Sequence, residues 1–362
     1  MKRLLLHNLH ERLGARFEEY GDWQLPLFYE SIITEHTYVR VSSALFDLSY
    51  LGRIEISGKD AEPFLERHVT RHLAKRPVGR GFYALMLTEK GTIFADCVVY
   101  KLRERFIVSV NPLVKEKVLE RLKQDAPEGV LLHDISEKIL CFALQGRRAQ
   151  FHLQRLTDME LSRLKSGFAC EAFATGGAEV VIGRVGYTGE DGFEILLDCS
   201  YGERFFETIL ELGTSEYLIP AGVGARNSLR IEAGFLLYGS EIDEETTPFE
   251  ADLAQFVSAD KQFIGREVFL SEREKALKKK IVSISVEQPR IPREGSPIFA
   301  DGKRVGTVTR GTYSPVLSRS IALGYIEPRF AQIGRELEIE IRGRRVKAKV
   351  ARKPFYLKKH TQ

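Results

Sequence analysis

Apolar and polar positions change period several times along the chain, and each change marks an element. Ile54 and Ile56 alternate with polar neighbours, the period-two pattern of a half-buried strand. Ala61, Phe64, Leu65 and His68 then recur at helical spacing. Strand-like runs follow at 81–87, 92–102 and 105–110. The first two are joined by Glu89-Lys90-Gly91, a short turn with its glycine where φ is positive. Leu113, Val114, Val118, Leu119 and Leu122 predict a second helix. Strand, helix, three strands and helix, in that order, describe an antiparallel sheet with helices on one face.

Strands and helices alternate again between 130 and 213. Two strands, 180–185 and 192–197, flank the connection Gly186-Tyr187-Thr188-Gly189-Glu190-Asp191-Gly192. A helix is predicted over 201–212, with Phe205, Ile209 and Leu212 on one face. Another covers 225–233, where Leu229 and Ala233 share one face and Arg226 and Arg230 another. Beyond Lys278-Lys279-Lys280 the pattern becomes nearly pure β, with short alternating runs at 281–286, 304–310, 320–326, 336–342 and 345–349. Asp301-Gly302 and Arg342-Gly343 supply hairpin turns. This is an antiparallel sandwich or barrel, and the clearest domain boundary lies near Lys275.

At 362 residues the chain suits two or three domains, and no apolar run is long enough to span a membrane. The leading Leu4-Leu5-Leu6 is too short for a secretory signal, so the protein reads as cytoplasmic. Cys97, Cys141, Cys170 and Cys199 have no close pair, which supports neither structural zinc nor a redox motif. His68 and His72 are four apart, but their surroundings read as a surface helix rather than a metal site. Net charge is +4, and nine basic residues with no acidic one lie between Arg342 and Lys359. That run is either a solvated β edge or a surface for an acidic partner or a carboxylate-rich ligand tail. No nucleic-acid-binding motif accompanies it.

Two carboxylates stand out. Asp96 sits mid-strand in Ile93-Phe94-Ala95-Asp96-Cys97-Val98-Val99-Tyr100. Alternation puts Asp96, Val98 and Tyr100 on one face, and Ala95, Cys97 and Val99 on the other. An acid inside so apolar a strand is costly unless exposed, paired or functional. If its face lines a cleft, Asp96 is the only charge there, as a positioned acid/base would be. Glu194 lies in a strand beside Phe193 and Ile195, and either faces solvent or grips a ligand donor.

Several segments carry a resemblance. Trp23-Gln24-Leu25-Pro26, Leu45-Phe46-Asp47-Leu48-Ser49, Leu144-Gln145-Gly146, Gly224-Ala225-Arg226-Asn227-Ser228-Leu229-Arg230 and Phe263-Ile264-Gly265-Arg266-Glu267 appear in order, and the run from Gly186 to Glu194 is the most specific. Together they resemble the glycine cleavage T-protein (aminomethyltransferase) family across essentially the whole chain. The resemblance implies an α+β fold, a three-domain cloverleaf around a central folate site. Two α+β domains with antiparallel sheets would comprise 1–51 with 140–226, and 52–139 with 227–274, the second ferredoxin-like. A C-terminal β-barrel or jelly-roll-like domain would occupy 275–362.

The resemblance also implies tetrahydrofolate as co-substrate, no metal, and a lipoylated H-protein as partner, with neither nucleic acid nor membrane involved. Matched position by position, Asp96 takes the family's essential aspartate, which engages the aniline-type nitrogen of folate. Glu194 takes the carboxylate that pairs with the pterin's amino-pyrimidine edge. Leu51, Tyr83, Val98, Tyr100, Asn111 and Tyr187 match pocket-lining positions, and Arg226 matches the arginine of the folate-site helix. Three positions depart from the family pattern: Tyr50 stands for a histidine, Ala95 for the first of two aspartates, and Asn227 for an aspartate. Other readings are a tetrahydrofolate-dependent demethylase of a small methylated amine, thioether or ether, and a non-enzymatic folate-binding protein of iron–sulfur assembly. The latter group carries a cysteine signature where this chain has Lys261-Gln262-Phe263.

Overall fold

The alternation at Ile54 and Ile56 becomes the strand Gly52–Ser57 in a computed structural model that describes residues 1–213 and 217–358. It belongs to a five-stranded antiparallel sheet, ordered Arg80–Leu87, Ile93–Lys101, Arg105–Val110, Gly52–Ser57 and Leu131–Asp134. Gly91 closes the turn between the first two strands at φ 75°. One face of this sheet carries Ile54, Ala84, Cys97, Val99 and Val108. Helices Ala61–His68 and Lys115–Asp125 cover it with Phe64, Leu65, Val118 and Leu122. Burying each such side chain contributes about 1.5–3 kcal/mol.

A second sheet has six strands, ordered Ala169–Ala174, Ala178–Gly183, Gly192–Asp198, Ile139–Gln145, Ser43–Asp47 and Leu218–Pro220. Only the last pair is parallel. Helix Cys199–Gly213 packs Phe205, Phe206 and Ile209 onto Phe142, Phe193 and Ile195. The first thirty residues add a small sheet of Lys2–Arg3, Trp23–Phe28 and Arg16–Tyr20, which weak alternation left unpredicted. Helix Ile32–Val41 follows, capped where the Thr34 N–H donates to Ser31 Oγ at 3.0 Å.

The C-terminal strands close into a six-stranded barrel, ordered Lys280–Val286, Arg319–Ile326, Lys303–Ser314, Pro297–Ala300, Glu336–Ile341 and Arg344–Ala351. Asp301 and Gly302 (φ 50° and 76°) make one hairpin turn, and Arg342 and Gly343 (51° and 73°) another. Positive φ at both central residues is the type I′ geometry that matches strand twist.

One expectation changes. The helix Ala61–His68 ends at His68, which is buried, with Nε2 3.0 Å from Asp125 Oδ2. His72 lies beyond the helix against Glu66 and Asp260, so the two histidines share no surface face. The basic run is also less bare than its composition suggests. Lys349, Lys347 and Arg345 stand directly across from Glu336, Glu338 and Glu340 in the neighbouring strand. Opposite charges at facing positions form a cross-strand ladder, which favours the solvated-edge reading. Among the described residues no helix is long and apolar enough to cross a membrane.

Candidate active site

Each of the two large sheets has a helix-covered face and a second face, and the second faces meet. Tyr100 and Ile107 from one join Phe46, Cys141, Ala143 and Leu196 from the other in a shared apolar cluster. Helix Val223–Ala233 closes it with Ala225 and Leu229. Tyr100 is the joint. Its ring lies in a slot made by one glycine from each sheet: a Cβ would come 2.5 Å from it at Gly183 and 3.2 Å at Gly81. Any side chain at Gly183 would therefore push the ring out of place. Fully buried, Tyr100 donates its hydroxyl proton to Glu194 Oε2. Glu194 itself is 7% exposed, so it faces this interior and not solvent.

Asp96 lies on the same strand and the same face, four residues before Tyr100, as alternation requires. It keeps some accessible surface while Ala95 and Cys97 beside it are buried in the helix-covered core. Tyr83, cross-strand from Val98, turns its hydroxyl to the Asp96 carboxyl. Burial pushes that carboxyl up to about 6, against the pull of Tyr83, its own backbone N–H and Arg226. A carboxyl poised near neutrality can exchange a proton with a ligand at little cost.

Asn111 follows Val110, the strand partner of Cys97, and so emerges beside Asp96. It accepts the Leu113 N–H at 3.0 Å and donates to Tyr20 Oη at 3.0 Å. Tyr20 comes from the N-terminal sheet and packs edge-on to Tyr50 at 6.2 Å. Burial pushes the Tyr50 hydroxyl up to about 12, so it stays neutral where the family pattern has a titratable histidine. Leu51 and Val98 pack at the rim of the shared cluster.

Arg226 enters from the closing helix with its guanidinium 4.3 Å above the Tyr187 ring. Its Nε is buried without a hydrogen-bond partner. Tyr187 is stacked on Phe235 at 5.4 Å and donates to the Leu236 carbonyl. The loop holding it is fixed at both ends: Thr188 donates to Gln145 Oε1 at 3.1 Å, and Arg184 Nε donates to Asp191 Oδ1 at 3.0 Å. Phe46, Leu48, Gln145, Tyr187, Glu194 and Arg226 together line a recess.

Of the nine residues matched in sequence, Tyr187, Glu194 and Arg226 line this recess, Tyr100, Leu51 and Val98 belong to the apolar cluster between the sheets, and Asp96, Tyr83 and Asn111 lie on or just beyond the adjoining strands of the five-stranded sheet. Sequence reasoning missed Tyr20 and Phe256. Phe256 packs edge-on against Tyr83 at 4.9 Å. Neither stands in a motif or a periodic run. Asn227, the departure beside Arg226, accepts from Arg230 Nε at 2.9 Å, so it holds a neighbouring arginine.

Residues 6–261 match the GCVT N-terminal domain, and residues 279–356 match the glycine cleavage T-protein C-terminal barrel domain. The chain belongs to the glycine cleavage T-protein family. It is 38% identical over 358 residues to the aminomethyltransferase of Desulforamulus reducens, covering 98% of each chain. With the aminomethyltransferase of Thermoanaerobacter pseudethanolicus the identity is 39% over 365 residues, covering 99% of each. The crystal structure of glycine cleavage system aminomethyltransferase T from Bartonella henselae matches with a TM-score of 0.91 at 30% identity over 98% of both chains. Membership of this family makes the chain an enzyme of the transferase class that moves aminomethyl groups.

Proposed function

We propose that the protein transfers the aminomethyl carbon of a lipoylated H-protein to tetrahydrofolate, as part of glycine cleavage. The carbon arrives bonded to a lipoyl sulfur and an amino nitrogen. Both bonds break, and two new bonds form to folate nitrogens. The two protons those nitrogens release go to the departing amine and thiolate. The products are ammonia, the dihydrolipoyl carrier and methylene-tetrahydrofolate.

One observation carries the reading: Glu194, held by Tyr100, faces the recess that Arg226 and Tyr187 also line, and Asp96, on the same strand and face as Tyr100, is bonded to Tyr83 and feels the charge of Arg226. Glu194 has lone pairs left beyond the one Tyr100 uses, enough for two parallel donors of an amino-pyrimidine edge. The free Nε of Arg226 and the Tyr187 ring suit a flat, polar-edged ligand. Asp96 takes the proton of the aniline-type nitrogen as that nitrogen attacks. Leu51, Tyr83, Val98, Tyr100, Asn111 and Tyr187 shape the pocket. The domain limits named from the sequence belong to the same proposal.

Calorimetric titration with tetrahydrofolate tests the binding half. Glu194→Gln keeps the shape and removes the charge, and is expected to weaken binding by roughly 1.5–3 kcal/mol, the scale of a charge-assisted hydrogen bond. Wild-type affinity in this variant would remove Glu194 from pterin recognition.

A further inference from the structure

Beyond the last barrel strand, Arg344–Ala351, the chain runs back to helix Val223–Ala233, where the Phe355 and Tyr356 N–H groups both donate to the Glu232 carbonyl. This strap lays one side chain, Tyr356, against the 186–192 loop. Tyr356 is 9% exposed, and its ring lies 3.8 Å from the Arg40 guanidinium. Its hydroxyl donates to Glu190 Oε1 and accepts from Arg147 Nη2 at 3.1 Å. The Glu190 side chain is fully buried, with Arg40 Nη1 at 3.7 Å and Arg147 Nε at 3.6 Å from the same oxygen. Its other oxygen, Oε2, is buried without a hydrogen-bond partner. A buried carboxylate depends on the few partners it has, so Tyr356 carries much of what holds Glu190 in place. Burial, and then the bond to Glu190, raises the Tyr356 hydroxyl above its ordinary range, so it stays a proton donor at neutral pH.

The loop held in this way is part of the recess. Tyr187 and Thr188 line it together with Glu194 and Arg226. Arg40 joins the strap to that stretch, because the guanidinium beside Tyr356 also donates to the Thr188 carbonyl at 2.8 Å. Gly189 follows with φ 79°, and a Cβ there would come 3.0 Å from the Cβ of Ala233. The loop is therefore pressed between the end of the helix that carries Arg226 and the strap. Glu190 and Tyr356 do not line the recess, so any effect they have on a ligand passes through the loop.

We propose that Tyr356 is a positioning residue for tetrahydrofolate, latching the 186–192 loop so that Tyr187 and Thr188 keep the shape the ligand requires. This rests on the folate reading above. A residue that only braces the fold would lower stability and leave affinity as it is. A latch favours the liganded form of the loop, and such coupling is reciprocal. Tetrahydrofolate must then hold the strap by the same factor by which the strap improves tetrahydrofolate binding.

Tyr356→Phe keeps the ring beside Arg40 and removes only the hydroxyl. Calorimetric titration of this variant is expected to show tetrahydrofolate bound about five-fold more weakly, within the range for residues that couple through packing. The KM for tetrahydrofolate should rise alike, with kcat at saturation within about two-fold of the wild-type value, the mark of lost binding and intact chemistry. Hydrogen exchange over residues 353–358 should slow when tetrahydrofolate is added to the wild-type protein, and change little in the variant. Glu190→Gln should weaken binding as well, and it serves if Tyr356→Phe does not fold. Both changes in one chain should cost no more than the larger alone, because they remove the same contact. Wild-type affinity in both single variants would overturn the latch, as would strap exchange that ignores bound tetrahydrofolate. A fall in kcat at unchanged KM would also overturn it, since that marks a loss of active protein. A wild-type protein that fails to bind tetrahydrofolate would overturn the folate reading itself.

Discussion

Asp96→Asn is expected to fold, to bind tetrahydrofolate nearly as the wild-type protein does, and to turn over about 10²–10⁴ times more slowly. That is the range for loss of a positioned acid/base group. Asparagine keeps the shape of the side chain, so the ring of Tyr83 and the strand pairing with Leu85 stay as they are. What it cannot do is take a proton. The pH dependence gives an independent check. Burial pushes the Asp96 carboxyl up to about 6. The reactive form is the carboxylate, so its population grows as pH rises through that value and falls in acid. The wild-type kcat/KM is therefore expected to climb from about pH 5 and level off above about pH 7, because it reports the free enzyme's essential groups. In Asp96→Asn that acid limb should vanish along with most of the rate. A variant within a few-fold of the wild-type rate would take Asp96 out of the chemistry, and a variant that only unfolds would make it structural.

Glu232→Ala is expected to destabilise the protein by about 3–5 kcal/mol, the cost of leaving a buried partner charge uncompensated. Glu232 is completely buried on helix Val223–Ala233. Its carboxylate accepts from Arg40 at 2.8 Å and faces His36 Nε2 at 3.0 Å, and Ser314 of the barrel donates to it. Its backbone carbonyl takes the N–H groups of Phe355 and Tyr356, while Arg40 stacks 3.8 Å from the Tyr356 ring. One residue thus ties the helix that carries Arg226 to the barrel and to the chain that leaves it. Burial alone would raise the carboxyl, but His36, Arg40 and Ser314 outweigh it and hold it below the ordinary range. A depressed carboxyl contributes stability at neutral pH and loses it as pH falls through the folded-state value. Urea denaturation at neutral pH measures the effect, and Glu232→Gln, which keeps the hydrogen-bonding shape, should lose less. A shift under about 1 kcal/mol for the alanine variant would mean that the network is not a structural tie.

What the sequence made legible follows from where burial is one-sided. The strand Ile93–Lys101 has one face in the helix-covered core and one toward the pocket, so its alternation set Asp96, Val98 and Tyr100 on a common face. The strand Gly192–Asp198 is buried on both faces until its last residue. Such a strand shows no alternation, and for that reason composition left Glu194 undecided. The barrel turns were legible because type I′ geometry demands residues that accept positive φ. Tyr20 and Phe256 reach the pocket through tertiary packing alone, and no local pattern marks them. The same holds for Arg40 and Glu232, which meet across 192 positions of sequence. Composition alone left the basic run open between a solvated edge and a partner surface, because the balancing Glu336, Glu338 and Glu340 sit on the adjacent strand. The resemblance supplied roles for Asp96 and Glu194, and the geometry adds Tyr100 as the side chain that links their two sheets.

The most direct test of the whole account is a single-turnover reaction with two products read separately. Purified protein is mixed with tetrahydrofolate and an H-protein whose lipoyl arm carries the aminomethyl group, and ammonia and methylene-tetrahydrofolate are followed together. Both are expected in equal amounts, and neither when tetrahydrofolate or the loaded carrier is left out. Tetrahydrofolate that binds but yields neither product, while a small methylated amine, thioether or ether does donate its carbon, would contradict it.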